Sequence, residues 1–227
     1  MRGRLTAAES LALVAALSGQ SPDAGSIVGH VKLTRVRGTA LPSNVYQPRA
    51  VAAHDAPALP EITNVVVYLK GVTFAGALPI SHEEIHQERE SFVPRVLAVT
   101  RGSTVDFPND DPFFHNVFSL SSASNFDLGR YPMGRHRSAT FTKPGLVKVF
   151  CHIHSHMSAS ILVLDHPYFS IPHLDGTFML PNVPPGDYTL VGWHERVGER
   201  TQAVRVQAGD SVTVELSLPV PIDKDTP

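Results

Sequence analysis

The sequence has one cysteine, few charges and no long apolar run, and each scarcity excludes a class of protein. A single cysteine among 227 residues cannot form an internal disulfide, so the chain is not a disulfide-stabilised scaffold. No apolar run reaches about 18 residues, so we expect no transmembrane helix. Charged residues make up 18% of the chain and the net charge is −2. This balance argues against a nucleic-acid partner and against polybasic membrane attachment.

The N-terminal region has the features of a secretory signal. Arg2 and Arg4 form a short basic segment, residues 11–17 are apolar, and small residues suited to cleavage follow. We therefore expect residues 1–24 to be a signal peptide or a disordered N-terminus. The mature protein is then periplasmic, or otherwise extracytoplasmic. The alternatives are an irregular polar terminus and a short helix.

Beyond residue 24 the sequence predicts an all-β protein. Apolar and polar residues alternate from Ser26 to Val36, as in a half-buried strand, and residues 65–69 form a continuous apolar strand. Further short strands, separated by Gly, Pro, Asn and Asp turns, recur at the spacing of β-sandwiches. Residues 72–91 are polar and are predicted to be mostly irregular. Near the C-terminus, residues 201–206 and 211–218 are predicted to pair as a hairpin.

The single cysteine lies in a run of typical metal ligands. Cys151, His154 and Met157 have the spacing C-x2-H-x2-M, and His115 begins a strand upstream. Because side chains alternate along a strand, Cys151 is expected to face a core, and Lys148 is expected to face solvent. A thiolate, two imidazoles and a weak axial thioether are the ligands of blue-copper electron-transfer sites. The pattern therefore predicts a site for one copper ion.

The neighbours of these residues have predicted roles too. Pro112-Phe113-Phe114 forms an apolar rim before the first histidine ligand. Asn116 is predicted on the opposite strand face, where it could tie the ligand loops together. His152 is expected to point away from the site, and His156 to be exposed in the ligand loop. Met133 is a spare axial candidate in another loop.

We expect no enzymatic activity, because four protein ligands leave no open position at the metal for a substrate. Two motifs similar to those of enzymes lack the further features that those enzymes need. Residues 82–86 match the zinc-protease motif H-E-x-x-H, but no long helix or third ligand accompanies them, so a polar loop or a short helical turn is predicted. His152 and His154 form an H-x-H pair similar to those of multicopper oxidases. Those enzymes need several such pairs.

The apolar rim, the His115-Asn116 pair and the Cys151 loop follow one another in an order that resembles that of cupredoxins. The short C-x2-H-x2-M loop is similar to that of amicyanin, and the chain is also similar to bacterial plastocyanin-like proteins labelled methylamine utilization proteins. The resemblance implies a Greek-key β-sandwich that binds copper through His115, Cys151, His154 and Met157, with Asn116 locking the loops. The residues that carry it are Phe92-Val93-Pro94, Val105-Asp106-Phe107-Pro108-Asn109, His115-Asn116-Val117, Gly145, Cys151 and Ile161.

The same resemblance implies a periplasmic carrier of single electrons. His154 would be the exposed ligand and the electron port. A cytochrome c or a dehydrogenase would dock weakly and transiently on a patch formed by Pro112, Phe113, Phe114 and Ile153. A copper-delivery protein is the second interpretation, favoured by the extra imidazoles of His152 and His156, and a purely structural β module is the third.

A second resemblance concerns the rest of the chain. Asp175-Gly176-Thr177-Phe178 and Pro184-Pro185-Gly186-Asp187-Tyr188 resemble the carboxypeptidase regulatory-like, or transthyretin-like, β-sandwich. Because this segment is short for a sandwich of its own, we expect residues 25–71 and 168–220 to form it together. The copper unit, residues 72–167, would be inserted in it, and residues 221–227 would be a tail. Alternatively, Val65–Leu69 is the first strand of the copper unit.

Overall fold

The computed structural model describes residues 23–37 and 60–222. Nearly all of the predicted signal segment and most of the predicted tail lie outside these residues. Within them the chain forms seventeen β-strands and one short 3-10 helix, Glu61–Asn64. The all-β prediction is therefore confirmed. No helix in the described ranges is long and apolar enough to cross a membrane.

The first group of strands comes from the two ends of the described chain. Its strands are β1 (Gly25–Arg37), β2 (Val65–Lys70), β13 (Phe169–Ser170), β14 (Thr177–Val183), β15 (Gly186–His194), β16 (Gly198–Val206) and β17 (Ser211–Ile222). They form a three-stranded sheet in the order β14-β1-β17 and a four-stranded sheet in the order β13-β2-β15-β16. The two sheets enclose one apolar core, and we call this unit the first sandwich.

Alternating side chains build the core of the first sandwich. Ile27 and Val31 of β1 are buried in it. Gly29 is needed on the same strand, because a Cβ there would lie 2.7 Å from the ring of Phe178. In the facing sheet β2 pairs with β15, from Val65 opposite His194 to Lys70 opposite Thr189. β2 therefore lies in the same sheet as the strand that contains Tyr188.

The chain between β2 and β13 forms a second sandwich. Its strands are β3 (His82–Glu84), β4 (His86–Glu88), β5 (Ser91–Val93), β6 (Val96–Thr100), β7 (Thr104–Asp106), β8 (His115–Ser121), β9 (Ser124–Tyr131), β10 (Ser138–Thr140), β11 (Gly145–Phe150) and β12 (Ser158–Leu164). One sheet has the order β6-β12-β11-β8-β9 and the other β10-β7-β3, while β4 and β5 form a hairpin. A second apolar core lies between the two sheets.

The two sandwiches pack against each other through a third apolar cluster. The cluster joins side chains from β2 and β15 of the first sandwich to side chains from β6 and β12 of the second: Val66, Tyr68, Val96, Leu162, Leu164, Val191 and Trp193. β2 and the second half of β15 thus have apolar neighbours on both faces, which explains the apolar runs at residues 65–69 and 190–193. At the edge of this joint, Glu195 accepts hydrogen bonds from Lys148 (2.6 Å) and Arg95 (3.0 Å).

Two expectations from the sequence are wrong here. β16 and β17 do not pair as a hairpin, because β16 pairs with β15 and β17 pairs with β1 in the opposite sheet. Both strands show the same alternation, and alternation does not specify the partner strand. Lys148 does not simply face solvent, because its Nζ donates to Glu195 of the first sandwich (2.6 Å) and to Oγ of Ser160 (2.9 Å).

The joint predicts a large stability cost for loss of the only tryptophan. Trp193 is 7% exposed in the third cluster, and removing a buried tryptophan side chain costs about 3–5 kcal/mol. We expect Trp193→Ala to lower the free energy of unfolding by this amount in guanidinium denaturation. Leu174→Ala, at a side chain that is 70% exposed, is the control and should change it by less than about 0.5 kcal/mol. Equal effects of the two substitutions would contradict the packed joint.

Candidate metal centre

Three potential metal ligands meet at one end of the second sandwich. His115 is the first residue of β8, Cys151 directly follows β11, and His154 lies in the turn before β12. Cys151 Sγ is 3.8 Å from His115 Nδ1 and 3.9 Å from His154 Nδ1, and the two imidazole nitrogens are 3.0 Å apart. The three donor atoms therefore lie close enough together to bind one ion.

The local fold of the ligand loop explains this convergence. β11 directs Val147 and Val149 into the second core, and the same alternation places Cys151 on that face. The chain then turns, and the backbone N–H of Met157 donates to the carbonyl of His154 over 3.0 Å. Met157 is 1% exposed and belongs to the same core as Cys151, a position compatible with the predicted axial role.

The surroundings of Cys151 favour the thiolate. Burial raises the pKa of this thiol. The His115 side chain and backbone N–H groups of the two ligand segments hydrogen-bond to the sulfur and lower its pKa to about 6. A thiolate is the form that binds a metal. The surroundings of the sulfur therefore shift it toward the form that binds a metal.

His115 is fully buried and has a carboxylate partner. Its Nε2 is 2.8 Å from Oδ2 of Asp111, which is itself 5% exposed. Burial lowers the pKa of His115, but its hydrogen bonds to Cys151 and Asp111 outweigh burial and raise it. Likewise, burial raises the pKa of Asp111, but hydrogen bonds from two backbone N–H groups and from His115 outweigh it and lower this pKa. Nδ1 of His115 is left facing the other two donors.

His154 is the more accessible of the two histidines. It is half-buried, and its ring centre is 5.4 Å from that of Phe113. Around it lies the predicted apolar rim, in which Phe113, Phe114 and Ile153 are 38%, 54% and 40% exposed and Pro112 is also exposed. An imidazole near the surface is thus bordered by apolar side chains that reach solvent.

Asn116 links three segments around the site. It is 2% exposed, its Oδ1 accepts from the backbone N–H of His152 (3.4 Å), and its Nδ2 donates to Asp127 (2.6 Å). The side chain thus connects β8 to the ligand loop and to β9. Its role in locking the loops stays a prediction, which these two hydrogen bonds make testable.

The other candidate ligands are outside the group of three donors. The ring of His152 packs against that of Phe118 on the outer face of the sheet, with ring centres 3.7 Å apart and ring planes tilted by 42°. His156 is 3.3 Å from Glu90, and Met133 is exposed. The structure therefore groups His115, Cys151 and His154, pairs His152 with Phe118 and His156 with Glu90, and leaves Met133 exposed.

The H-E-x-x-H segment forms strands and not a helix. Residues 82–84 and 86–88 are β3 and β4, which corrects the prediction of a loop or helical turn. His82 pairs with Asp106 at 3.0 Å, and His86 pairs with Asp110 at 2.6 Å. The two imidazoles thus have separate carboxylate partners. The β pairing of this polar segment was missed because it lacks an apolar alternation.

The sequence does not single out Asp111 as a site residue, although its position close to His115 is a weak indication. Asp111 lies four residues before His115 in the segment Asn109-Asp110-Asp111-Pro112, which reads as an ordinary tight loop. Only the fold shows which of the two adjacent aspartates turns inward. Asp110 is exposed and contacts His86, whereas Asp111 is buried and contacts His115.

Comparisons with known proteins give partial structural similarities. No protein-family profile matches the sequence, and no curated protein matches it. The chain aligns with a mutant of amicyanin in the Cu(I) state at 20% identity and a TM-score of 0.35, over 37% of this chain and 82% of that one. It aligns with a purple cupredoxin from Nitrosopumilus maritimus at 21% identity and a TM-score of 0.33, over 36% and 99%.

A larger protein also aligns. It is a copper-containing nitrite reductase from Thermus scotoductus, at 26% identity and a TM-score of 0.34, over 58% of this chain and 28% of that one. The chain thus spans less than a third of that enzyme. The chemistry of the site follows from its own donor atoms, which are one thiolate sulfur and two imidazole nitrogens.

The link through Asn116 predicts a measurable stabilisation. Asn116→Ala removes two hydrogen bonds from a buried position, which costs about 1–3 kcal/mol. We expect this loss in the denaturant-induced unfolding of the metal-free protein. Asn125→Ala, at an exposed position of β9, should be nearly neutral. The interpretation is wrong if both variants unfold at the denaturant concentration of the parent protein.

Proposed function

We propose that this protein binds one copper ion through His115, Cys151, His154 and Met157 and carries single electrons between redox partners. One observation carries the proposal: a thiol and two imidazole nitrogens converge with separations of 3.0–3.9 Å. Bound there, copper supplies a one-electron Cu(I)/Cu(II) couple. The basic and apolar N-terminal segment supports an extracytoplasmic, periplasmic location.

The donor types favour copper over zinc. Structural zinc sites use thiolates, imidazoles and carboxylates in a closed tetrahedron. Two histidines and a cysteine with a weak thioether fit a blue-copper site instead. Met157, buried in the core that contains Cys151, supplies that thioether. The proposal of copper therefore depends on Met157 as well as on the three closer donors.

The ligand count supports an electron carrier and not an enzyme. With four side chains as ligands, no position is left for a substrate to bind the metal. Electrons would instead enter and leave through His154, the half-buried ligand beside the rim. The rim of Pro112, Phe113, Phe114 and Ile153 is the proposed contact surface for a cytochrome c or a dehydrogenase. A small apolar contact of this kind dissociates quickly, as a shuttle requires.

Copper delivery is the second candidate function. The ring of His156 is 6.1 Å from that of His154, and it lies in the exposed part of the ligand loop. An exposed imidazole so close to a ligand could pass the ion to another protein. The two functions differ in one property: a shuttle keeps its copper through repeated redox cycles, and a delivery protein releases it to an acceptor.

The proposal predicts a thiolate-dependent copper spectrum. One equivalent of Cu(II) should produce an intense thiolate-to-copper band in the visible spectrum. Ascorbate should bleach the band and an oxidant should restore it, with copper retained on the protein. Cys151→Ser should abolish the band, because it removes the only thiolate in the sequence.

His136→Asn is the matched control, since His136 is an exposed histidine outside the donor group. It should leave the spectrum unchanged. A weak spectrum that is identical in Cys151→Ser would refute the proposed site. Loss of copper to a chelator after a single redox cycle would favour delivery, and no copper binding at all would favour a structural module.

A further inference from the structure

A buried carboxylate lies directly behind one of the proposed ligands. Oδ2 of Asp111 is 2.8 Å from Nε2 of His115, on the side of the ring away from Cys151. Both side chains are almost completely buried. Because an ionised carboxylate only accepts hydrogen bonds, this contact places a proton on Nε2 and leaves Nδ1 for a metal.

Backbone groups fix the position of this carboxylate. The N–H groups of Arg89 and Glu90 donate to Oδ1 (2.6 Å) and Oδ2 (2.9 Å) of Asp111. These two residues form the tip of the β4–β5 hairpin, and both have positive φ angles, 52° and 54°. Such angles are unfavourable for residues other than glycine. The carboxylate therefore stabilises the hairpin tip, and the tip in turn holds the carboxylate in place.

Asn109 holds the backbone of the segment that runs from Asp111 to His115. Oδ1 of Asn109 accepts from the backbone N–H of Asp111 (3.0 Å), and its Nδ2 donates to the carbonyls of Phe113 (2.8 Å) and Tyr131 (3.1 Å). These bonds set the path of the chain from Asp111 to His115. Two backbone N–H groups thus hold the carboxylate, and the Asn109 side chain holds the backbone of Asp111.

The hairpin tip also reaches the second ligand segment. The carboxylate of Glu90 is 3.3 Å from Nε2 of His156, two residues after His154. One turn therefore contacts the segment before His115, through Asp111, and the loop that contains Cys151 and His154. The tip is positioned to set the separation of the two ligand-bearing segments.

We propose that Asp111, held by the β4–β5 hairpin tip, is a positioning residue that fixes the tautomer and orientation of His115 and strengthens Nδ1 as a metal donor. The copper part of this inference rests on the proposed function. The tautomer part concerns the metal-free protein and stands independently. Carboxylates behind metal-binding histidines act in this way in general, and their loss costs about 10–100-fold in metal affinity or activity.

The tautomer can be measured without any metal. Nitrogen NMR of the histidine side chains in the metal-free parent protein, at a pH well above the ordinary histidine pKa, should show His115 with its proton on Nε2. In Asp111→Asn the single fixed tautomer should be lost. If Asp111→Asn does not fold, as judged by circular dichroism, the measurement on the parent protein still decides. An Nε2 of His115 that carries no proton there would overturn the proposal.

The copper-loaded protein gives the second readout. Asp111→Asn should bind Cu(II) about 10–100-fold more weakly. Its reduction potential should rise, because loss of the carboxylate charge favours the less positive ion. The matched control is Asp110→Asn, which removes the same charge from the adjacent, exposed residue that contacts His86 and not His115. This control should keep the parent affinity and potential.

The outcomes separate the two proposals. An unchanged potential and affinity in Asp111→Asn, or equal shifts in Asp110→Asn, would overturn the positioning role while leaving the copper site intact. Failure of the parent protein to bind copper would overturn the proposed function. In that case the tautomer of His115 would still confirm or refute the positioning role of Asp111.

Discussion

A thiol and two imidazoles approach within 3.0–3.9 Å of one another at one end of the second sandwich, and the contacts around them follow from burying these polar groups together. Polar groups lose hydration when they are buried together, and each needs a partner within the protein. Here the sulfur receives backbone N–H groups, His115 has Asp111, and the hairpin tip satisfies Asp111. The three donors are therefore arranged by the fold before any ion binds. A site of this kind needs little rearrangement when an ion in it changes its charge.

The two-sandwich architecture gives this site a firm support and an open side. The first sandwich covers the β6 and β12 part of the large sheet in the second sandwich, where Leu162 and Trp193 meet. Within residues 23–37 and 60–222 no segment covers the ligand-bearing end, so Phe114 and Ile153 are exposed beside the half-buried His154. The same chain thus combines a rigid base, formed by two stacked sandwiches, with an accessible apolar rim at the proposed electron port.

Local patterns in the sequence predict the all-β class and the donor residues, because alternation and ligand spacing are properties of short segments. Cys151 and His154 are three residues apart, so their proximity follows from one turn. Contacts between distant segments could not be predicted in this way. Asp111 and Asp110 look alike in the sequence, and only the position of the β4–β5 hairpin makes one of them a buried partner of His115. For the same reason the partners of β16, β17 and Lys148 were not predictable: each depends on which sheet lies across from it.

The most direct test of a site arranged by the fold is a pair of crystal structures, of the metal-free and the copper-loaded protein. We predict one copper ion bound by His115, Cys151, His154 and Met157. The two buried donors should shift by less than about 0.5 Å, the tolerance expected of a preorganised site, and the contact between Asp111 and His115 should be kept. Copper bound instead by His152 or His156, or a ligand loop rebuilt around the ion, would contradict this prediction.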